Sequence, residues 1–352
     1  MRSSSVWKAC LVAATLAGLF SATGEPEAVL ESRGRHWRAA YRVPSEIPFP
    51  AENPYSAAKA ELGRRPFFDP ILSGDRTRAC VSCHLPDLAW GDGRARAAAR
   101  DQTDMDLRSP TLLNMAWQDG PLGWVGKFRD LESVTAIPLT APGNMNLTMA
   151  EAVARVSGDA GYRAAFAAAF PDPEVTLGKL EAAIATFERL IVAVTSPFDR
   201  WIAGDDEAIG AAARRGFDLF NGRAGCAACH SGWSFTDGSF HDIGVGSGAD
   251  IGRGRYVKSS TALRYAFKTP TLRDVARRAP YMHDGSVGTL DRVIDLYDRG
   301  GIDRPSRSRQ IRPLHLTSRE KTDLLAFLNA LTSTSQRDLM WADFADAPPT
   351  LR

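Results

Sequence analysis

Two Cys-x-x-Cys-His runs, Cys80-Val-Ser-Cys83-His84 and Cys226-Ala-Ala-Cys229-His230, constrain this chain more than any other feature. In each, two thiols can form thioethers to the vinyl groups of a haem, and the adjacent histidine can meet the iron as its proximal ligand. A lone Cys-x-x-Cys also suits a redox dithiol or half of a zinc site. Two copies, each ending in histidine, favour two covalently bound haem c groups.

The cysteine count agrees. The chain has five cysteines, and the fifth, Cys10, lies in a segment with the pattern of a signal peptide, residues 1–24. Basic Arg2 and Lys8 precede an apolar run over 9–20, and small residues Ser21, Ala22, Thr23 and Gly24 follow, as expected near a cleavage site. The run is short for a membrane span, so no stable membrane insertion is expected after cleavage; an uncleaved anchor is the alternative. Removing the segment leaves every cysteine in a haem motif and none for a disulfide. Bacterial haem c is attached outside the cytoplasm, which points to the periplasm. Without Arg2 and Lys8 the mature chain has 41 basic against 41 acidic residues. That balance argues against nucleic acid, whose phosphates call for clustered Lys and Arg. The basic runs Arg277-Arg278 and 304–312 read as solvated surface, or as docking sites for an acidic redox partner.

The surroundings of the two motifs repeat weakly. Arg64-Arg65-Pro66-Phe67-Phe68 precedes the first and Arg214-Arg215-Gly216-Phe217 the second. Downstream, Arg108-Ser109-Pro110-Thr111-Leu112 answers Lys268-Thr269-Pro270-Thr271-Leu272, and Leu131-Glu132-Ser133-Val134 answers Leu290-Asp291-Arg292-Val293. Each half ends in an amphipathic helix with a threonine cap. The first runs from Thr176 through Leu180, Ile184, Phe187 and Ile191. The second runs from Thr317 through Leu324, Phe327, Leu328 and Leu331, with Glu320 completing a capping box. Turn chemistry over 196–206 marks the boundary between halves. Ala-rich stretches at 149–169 and 207–220 read as helical, the Gly-rich stretch 244–254 reads as a loop, and strand alternation is nearly absent. The expected fold is mainly α: two cytochrome c-like domains, each binding one haem. Residues 1–24 are the signal peptide, 25–54 an N-terminal extension, 55–198 the first haem domain, 199–340 the second, and 341–352 a tail.

Haem chemistry depends on the face opposite the proximal histidine. Seven residues after Leu290 stands Tyr297, and seven after Leu131 stands Pro138. Proline has no ligating atom, whereas a phenolate is a good ligand for ferric iron. The haem on His230 is therefore expected to be six-coordinate through Tyr297, and the haem on His84 to have an open face. A core aromatic is the alternative for Tyr297, and Met282 is a rival ligand. His241 and His283 read better as hydrogen-bonding residues, His36 and His315 as surface ones.

These residues resemble the bacterial di-haem cytochrome c peroxidases, and within them the MauG-like branch. The resemblance spans about 55–335 and rests on Leu62-Gly63, Phe67-Phe68-Asp69-Pro70, both haem motifs, Thr269-Pro270-Thr271-Leu272-Arg273 and Ala279-Pro280-Tyr281-Met282-His283-Asp284-Gly285. It implies peroxide reduction at the N-terminal haem and electron transfer at the C-terminal one. It makes Trp124, in Gly123-Trp124-Val125-Gly126-Lys127, the electron relay between them, Tyr297 the MauG-type ligand and Pro138 a distal-pocket proline. The family's distal glutamine falls on Val134 and its acid–base glutamate on Asn144, which cannot shuttle a proton; Glu132 could substitute, or be a surface residue on a short helix. The family's calcium site has an asparagine where this chain has Arg108, so calcium is in doubt, and the guanidinium could replace the ion's charge.

The leading expectation is a periplasmic enzyme that uses hydrogen peroxide to reach a high-valent di-haem state. That state would oxidise aromatic side chains, tryptophan foremost, of a partner protein. The alternative is a peroxidase that removes peroxide with electrons from a small cytochrome c or cupredoxin. A non-enzymatic electron carrier is the third reading.

Overall fold

The computed structural model describes residues 36–193 and 195–334. The expected signal peptide, Cys10 and the 341–352 tail lie outside the described residues.

Each half is organised by one pair of crossing helices. In the first half, α1 (Ala57–Phe68) crosses α6 (Leu177–Arg189). In the second, α8 (Ala211–Asn221) crosses α10 (Ser318–Ala330). Both crossings are made close by a glycine. A Cβ on Gly63 would lie 1.9 Å from the Ala183 carbonyl oxygen, and one on Gly216 would lie 2.0 Å from that of Asp323. The internal repeat is therefore registered on Gly63 and Gly216 rather than on the arginine pairs, because only glycine permits that backbone approach.

The threonine caps form as expected. Thr176 accepts from the Lys179 N–H, and Thr317 forms a capping box with Glu320. Between α1 and α6 lie two short helices, α2 (Leu131–Val134) and α3 (Ala136–Thr140). The Ala-rich 149–169 stretch follows, and it divides into α4 (Met149–Gly158) and α5 (Ala160–Ala169). The division falls at Asp159, whose carboxylate caps α5 by accepting from Tyr162 N–H at 2.9 Å. At 207–220 only the part from Ala211 onward is helical.

The 196–206 segment differs from the turn expected there. Ser196 and Asp199 form a capping box with proline at the first helical position, opening α7 (Pro197–Ala203). Serine, proline and aspartate punctuate turns, but at this spacing they start a helix. Gly204, at φ +113°, ends it. Helix α9 (Leu290–Arg299) starts at the expected leucine. Among the described residues the strands are β1 (Phe240–His241) and β2 (Phe267–Lys268), paired antiparallel. The Gly-rich 244–254 stretch is a loop apart from a short turn at its end.

The first half's core gathers Leu62, Leu72, Leu139, Met145, Phe166, Leu180 and Ile184. The second half's is aromatic, with Phe198, Phe217, Phe220, Phe235 and Phe327 in mutual contact. Tyr41, from the segment ahead of the first half, inserts into this second core, and its hydroxyl donates to Asn221 Oδ1 at 2.6 Å. No described helix is long and apolar enough to cross a membrane.

Candidate functional site

Both motifs fold into the same object. Cys80–Ser82 and Cys226–Ala228 are single tight helical turns. His84 N–H reaches back to the Cys80 carbonyl at 3.1 Å, and His230 N–H to that of Cys226 at 2.9 Å. Each imidazole is then oriented by its own loop: His84 Nδ1 is 3.1 Å from the Trp90 carbonyl, and His230 Nδ1 is 2.9 Å from that of Phe235. A carbonyl only accepts, so Nδ1 carries the proton and Nε2 keeps a lone pair, which is the metal-ligating tautomer. Burial lowers both histidines' pKa, and hydrogen bonds to backbone carbonyls only partly oppose it. The rings are thus neutral and able to ligate.

The thiols narrow the chemistry further. Cys80, Cys83, Cys226 and Cys229 are free of disulfides. Burial pushes Cys80 and Cys226 up to about 12 and Cys229 up to about 11. A catalytic dithiol needs a thiol pulled the other way, so the redox-dithiol alternative does not fit this environment. Two thiols beside one oriented imidazole suit a haem held by thioethers and a proximal nitrogen.

The two positions compared in sequence, Pro138 and Tyr297, have different settings. In the first half a single turn residue, Thr135, separates α2 from α3, and Pro138 sits on the second piece. Its neighbour Leu139, and Met145 next to Asn144, share a core cluster that Cys80 packs against. Asn144 is half-buried on the turn after α3, its N–H bonded to the Ala141 carbonyl at 2.9 Å. In the second half one unbroken helix, α9, carries Tyr297, while its Leu290 and Ile294 anchor in the core. The Tyr297 phenol is held well above its ordinary range, first by burial and then by the nearby Cys226 and Cys229. Its hydroxyl finds no hydrogen-bond partner among the described residues. Met282 is half-buried at φ +73° on the turn that also carries His283.

Trp124 stands at the seam between the halves. Its Nε1–H donates to the Arg108 carbonyl at 3.0 Å, and its own carbonyl accepts from Lys268 N–H at 2.8 Å. His283 and His241 are hydrogen-bonding residues as expected, at 2.6 Å from Asp250 and 2.7 Å from Asp237. His283 also stacks on Phe267 at 3.4 Å between ring centres. His36 and His315 are exposed.

Glu132 is not available for proton transfer. Arg189 grips both its oxygens, at 2.7 and 3.0 Å, and Asn53 Nδ2 donates at 2.9 Å. Burial works to raise this carboxyl, but those hydrogen bonds prevail and hold it below the usual range. The carboxyl that sequence reasoning missed is Glu188, one residue before that arginine. It is 5% exposed, its Oε2 is buried without a partner, and it lies within electrostatic reach of Cys80. Burial pushes it up to about 8. The available signal was its position four residues after Ile184, on the apolar side of α6.

Known proteins resemble this chain. Residues 57–207 match the family model described as di-haem cytochrome c peroxidase. The methylamine utilization protein MauG of Methylorubrum extorquens is 47% identical over 296 residues, covering 84% of each chain. Cytochrome c551 peroxidase of Nitrosomonas europaea is 32% identical over 289 residues, covering 81% of this chain and 83% of that one. The crystal structure of a MauG-like protein associated with microbial copper homeostasis superposes with a TM-score of 0.78 at 33% identity, over 87% of this chain and 97% of that one. The chain is a peroxidase-type oxidoreductase belonging to the MauG-like branch of the di-haem cytochrome c peroxidase family.

Proposed function

We propose that this protein is a periplasmic enzyme of MauG type, which uses hydrogen peroxide to oxidise aromatic side chains, tryptophan foremost, of a partner protein. The observation that carries the reading is the asymmetry of Pro138 and Tyr297. One site has no side-chain ligand at the compared position, and the other has a phenol without a hydrogen-bond partner beside Cys226 and Cys229. A covalent haem c at each motif would supply the redox chemistry that carries electrons to peroxide.

The chain's own residues have distinct parts. Cys80 with Cys83, and Cys226 with Cys229, tether the two groups. His84 and His230 present Nε2, fixed by the carbonyls of Trp90 and Phe235. Tyr297 would be a second protein ligand for the group on His230, and Pro138, with no ligating atom, would leave the group on His84 accessible to peroxide. Trp124, bonded to both halves, relays electrons between the sites. Reduction of peroxide to water takes two electrons from the partner's aromatic side chain together with two protons.

EPR of the ferric protein, with and without peroxide, tests this on wild type and Tyr297→Phe. One high-spin and one low-spin signal are expected, both lost on adding peroxide, with the low-spin signal altered in the variant. An unaltered low-spin signal would move the ligand to Met282, and signals indifferent to peroxide would overturn the enzymatic reading. The similarity to the Nitrosomonas cytochrome c551 peroxidase favours a second reading, removal of peroxide with electrons from a small cytochrome c or cupredoxin. Rapid steady-state turnover with such a reduced donor would select it.

A further inference from the structure

Calcium is the one group implied by the family that these residues do not fit. The family's asparagine ligand falls at Arg108, and Arg108 is 8% exposed. Its Nη2 donates to the Arg278 carbonyl at 3.0 Å, engaging a backbone oxygen of the kind calcium takes. Its own N–H donates to the His283 carbonyl at 3.0 Å, and its carbonyl accepts from Trp124 Nε1 at 3.0 Å. One residue thus joins Trp124 of the first half to the 278–283 turn of the second.

The charges around it also exclude a divalent ion. Arg278 is half-buried beside Arg108, and its buried Nε has no partner. Burial pulls Arg278 down to about 10, Asp274 partly opposes this, and the charge of Arg108 adds to it. The nearby carboxylates are occupied. Asp92 accepts from Ser109 Oγ and Arg94 N–H, and Asp274 from the N–H and Oγ of Ser333. A calcium ion there would meet two guanidinium charges and, among the described residues, carboxylates already engaged in hydrogen bonds. Among the described residues, the group of three side chains able to hold a metal is Cys229, Asp237 and His241, which draws on a motif cysteine and includes none of these side chains.

We propose that the Arg108 guanidinium is the built-in cation of the seam, so that the two halves dock without calcium. The test uses the purified holoprotein dialysed against EGTA, with metal analysis, ferric EPR and thermal unfolding as readouts. Wild type is expected to hold no stoichiometric calcium and to keep its EPR spectrum and Tm on chelation. Arg108→Asn is expected to lower Tm, and added calcium to restore part of that loss. Arg108→Lys, which keeps the charge, is expected to be as indifferent to chelator as wild type, and decides the matter should the asparagine variant not fold. Wild type that loses calcium with a shift in EPR signal or Tm would overturn the proposal. So would an asparagine variant with the Tm of wild type and no calcium. None of these readouts depends on peroxide activity.

Discussion

Replacing Glu188 with glutamine should stabilise the protein at neutral pH and flatten part of its pH dependence. Burial is the main cause that moves this carboxyl from 4.5 to about 8; the charge of Arg189 opposes it and that of Glu132 adds to it. In the unfolded chain the group ionises near 4.5, whereas in the folded protein it keeps its proton until about pH 8. The stability contributed by a group with a raised folded pKa is complete below the unfolded value. It is lost as pH rises toward the folded one. At about 1.4 kcal/mol per pH unit, the loss is about 1 kcal/mol at pH 5 and about 4 kcal/mol at pH 8. Glutamine has nearly the same shape and nothing to ionise. Guanidinium unfolding of both proteins, followed by far-UV circular dichroism at pH 5 and pH 8, reads the difference, and other titrating groups cancel in the comparison. The glutamine variant's advantage should be about 3 kcal/mol larger at pH 8 than at pH 5. An equal advantage at both pH values, or a less stable variant at pH 8, would refute the reasoning.

Other substitutions test the packing. Gly63→Ala places a methyl 1.9 Å from the Ala183 oxygen and must push α1 off α6, at about 1–3 kcal/mol or more; a lowered Tm measures it, and Gly216→Ala should behave alike. Asp199→Ala strips Arg273, 1% exposed, of both 2.6 Å contacts and removes the aspartate half of the α7 capping box. The loss should be about 3–5 kcal/mol in a urea titration. Tyr41→Ala empties a ring-sized site among Phe198, Phe217 and Phe235 and should cost about 3–5 kcal/mol by the same titration.

What could be read from the sequence was short in range. A threonine cap, a capping box and a Cys-x-x-Cys-His turn each complete their hydrogen bonds within a few residues. Thr176, Thr317 with Glu320, and both motif turns therefore formed as expected. The 196–206 segment misled because the residues that break structure also begin helices, and only their spacing distinguishes the two. Glu132 looked free because the arginine that claims it lies 57 residues further along. Glu188 was overlooked because one carboxylate on an apolar helix face reads as noise in the periodicity. The asymmetry of Pro138 and Tyr297 was legible from counting, yet the broken helix beneath one and the continuous helix beneath the other were not.

The insertion of Tyr41 into the far core bears on the order in which the protein can mature. Its hydroxyl partner, Asn221, is 180 residues downstream, and its ring neighbour Phe235 lies further along still. The first pair of crossing helices is complete once Arg189 has emerged, so that half can close early. The second cannot seal until the segment carrying Tyr41 returns to it, and closing so long a loop is slow. A chain interrupted after its first half therefore carries Tyr41 exposed, marking an unfinished molecule to the proteases it meets.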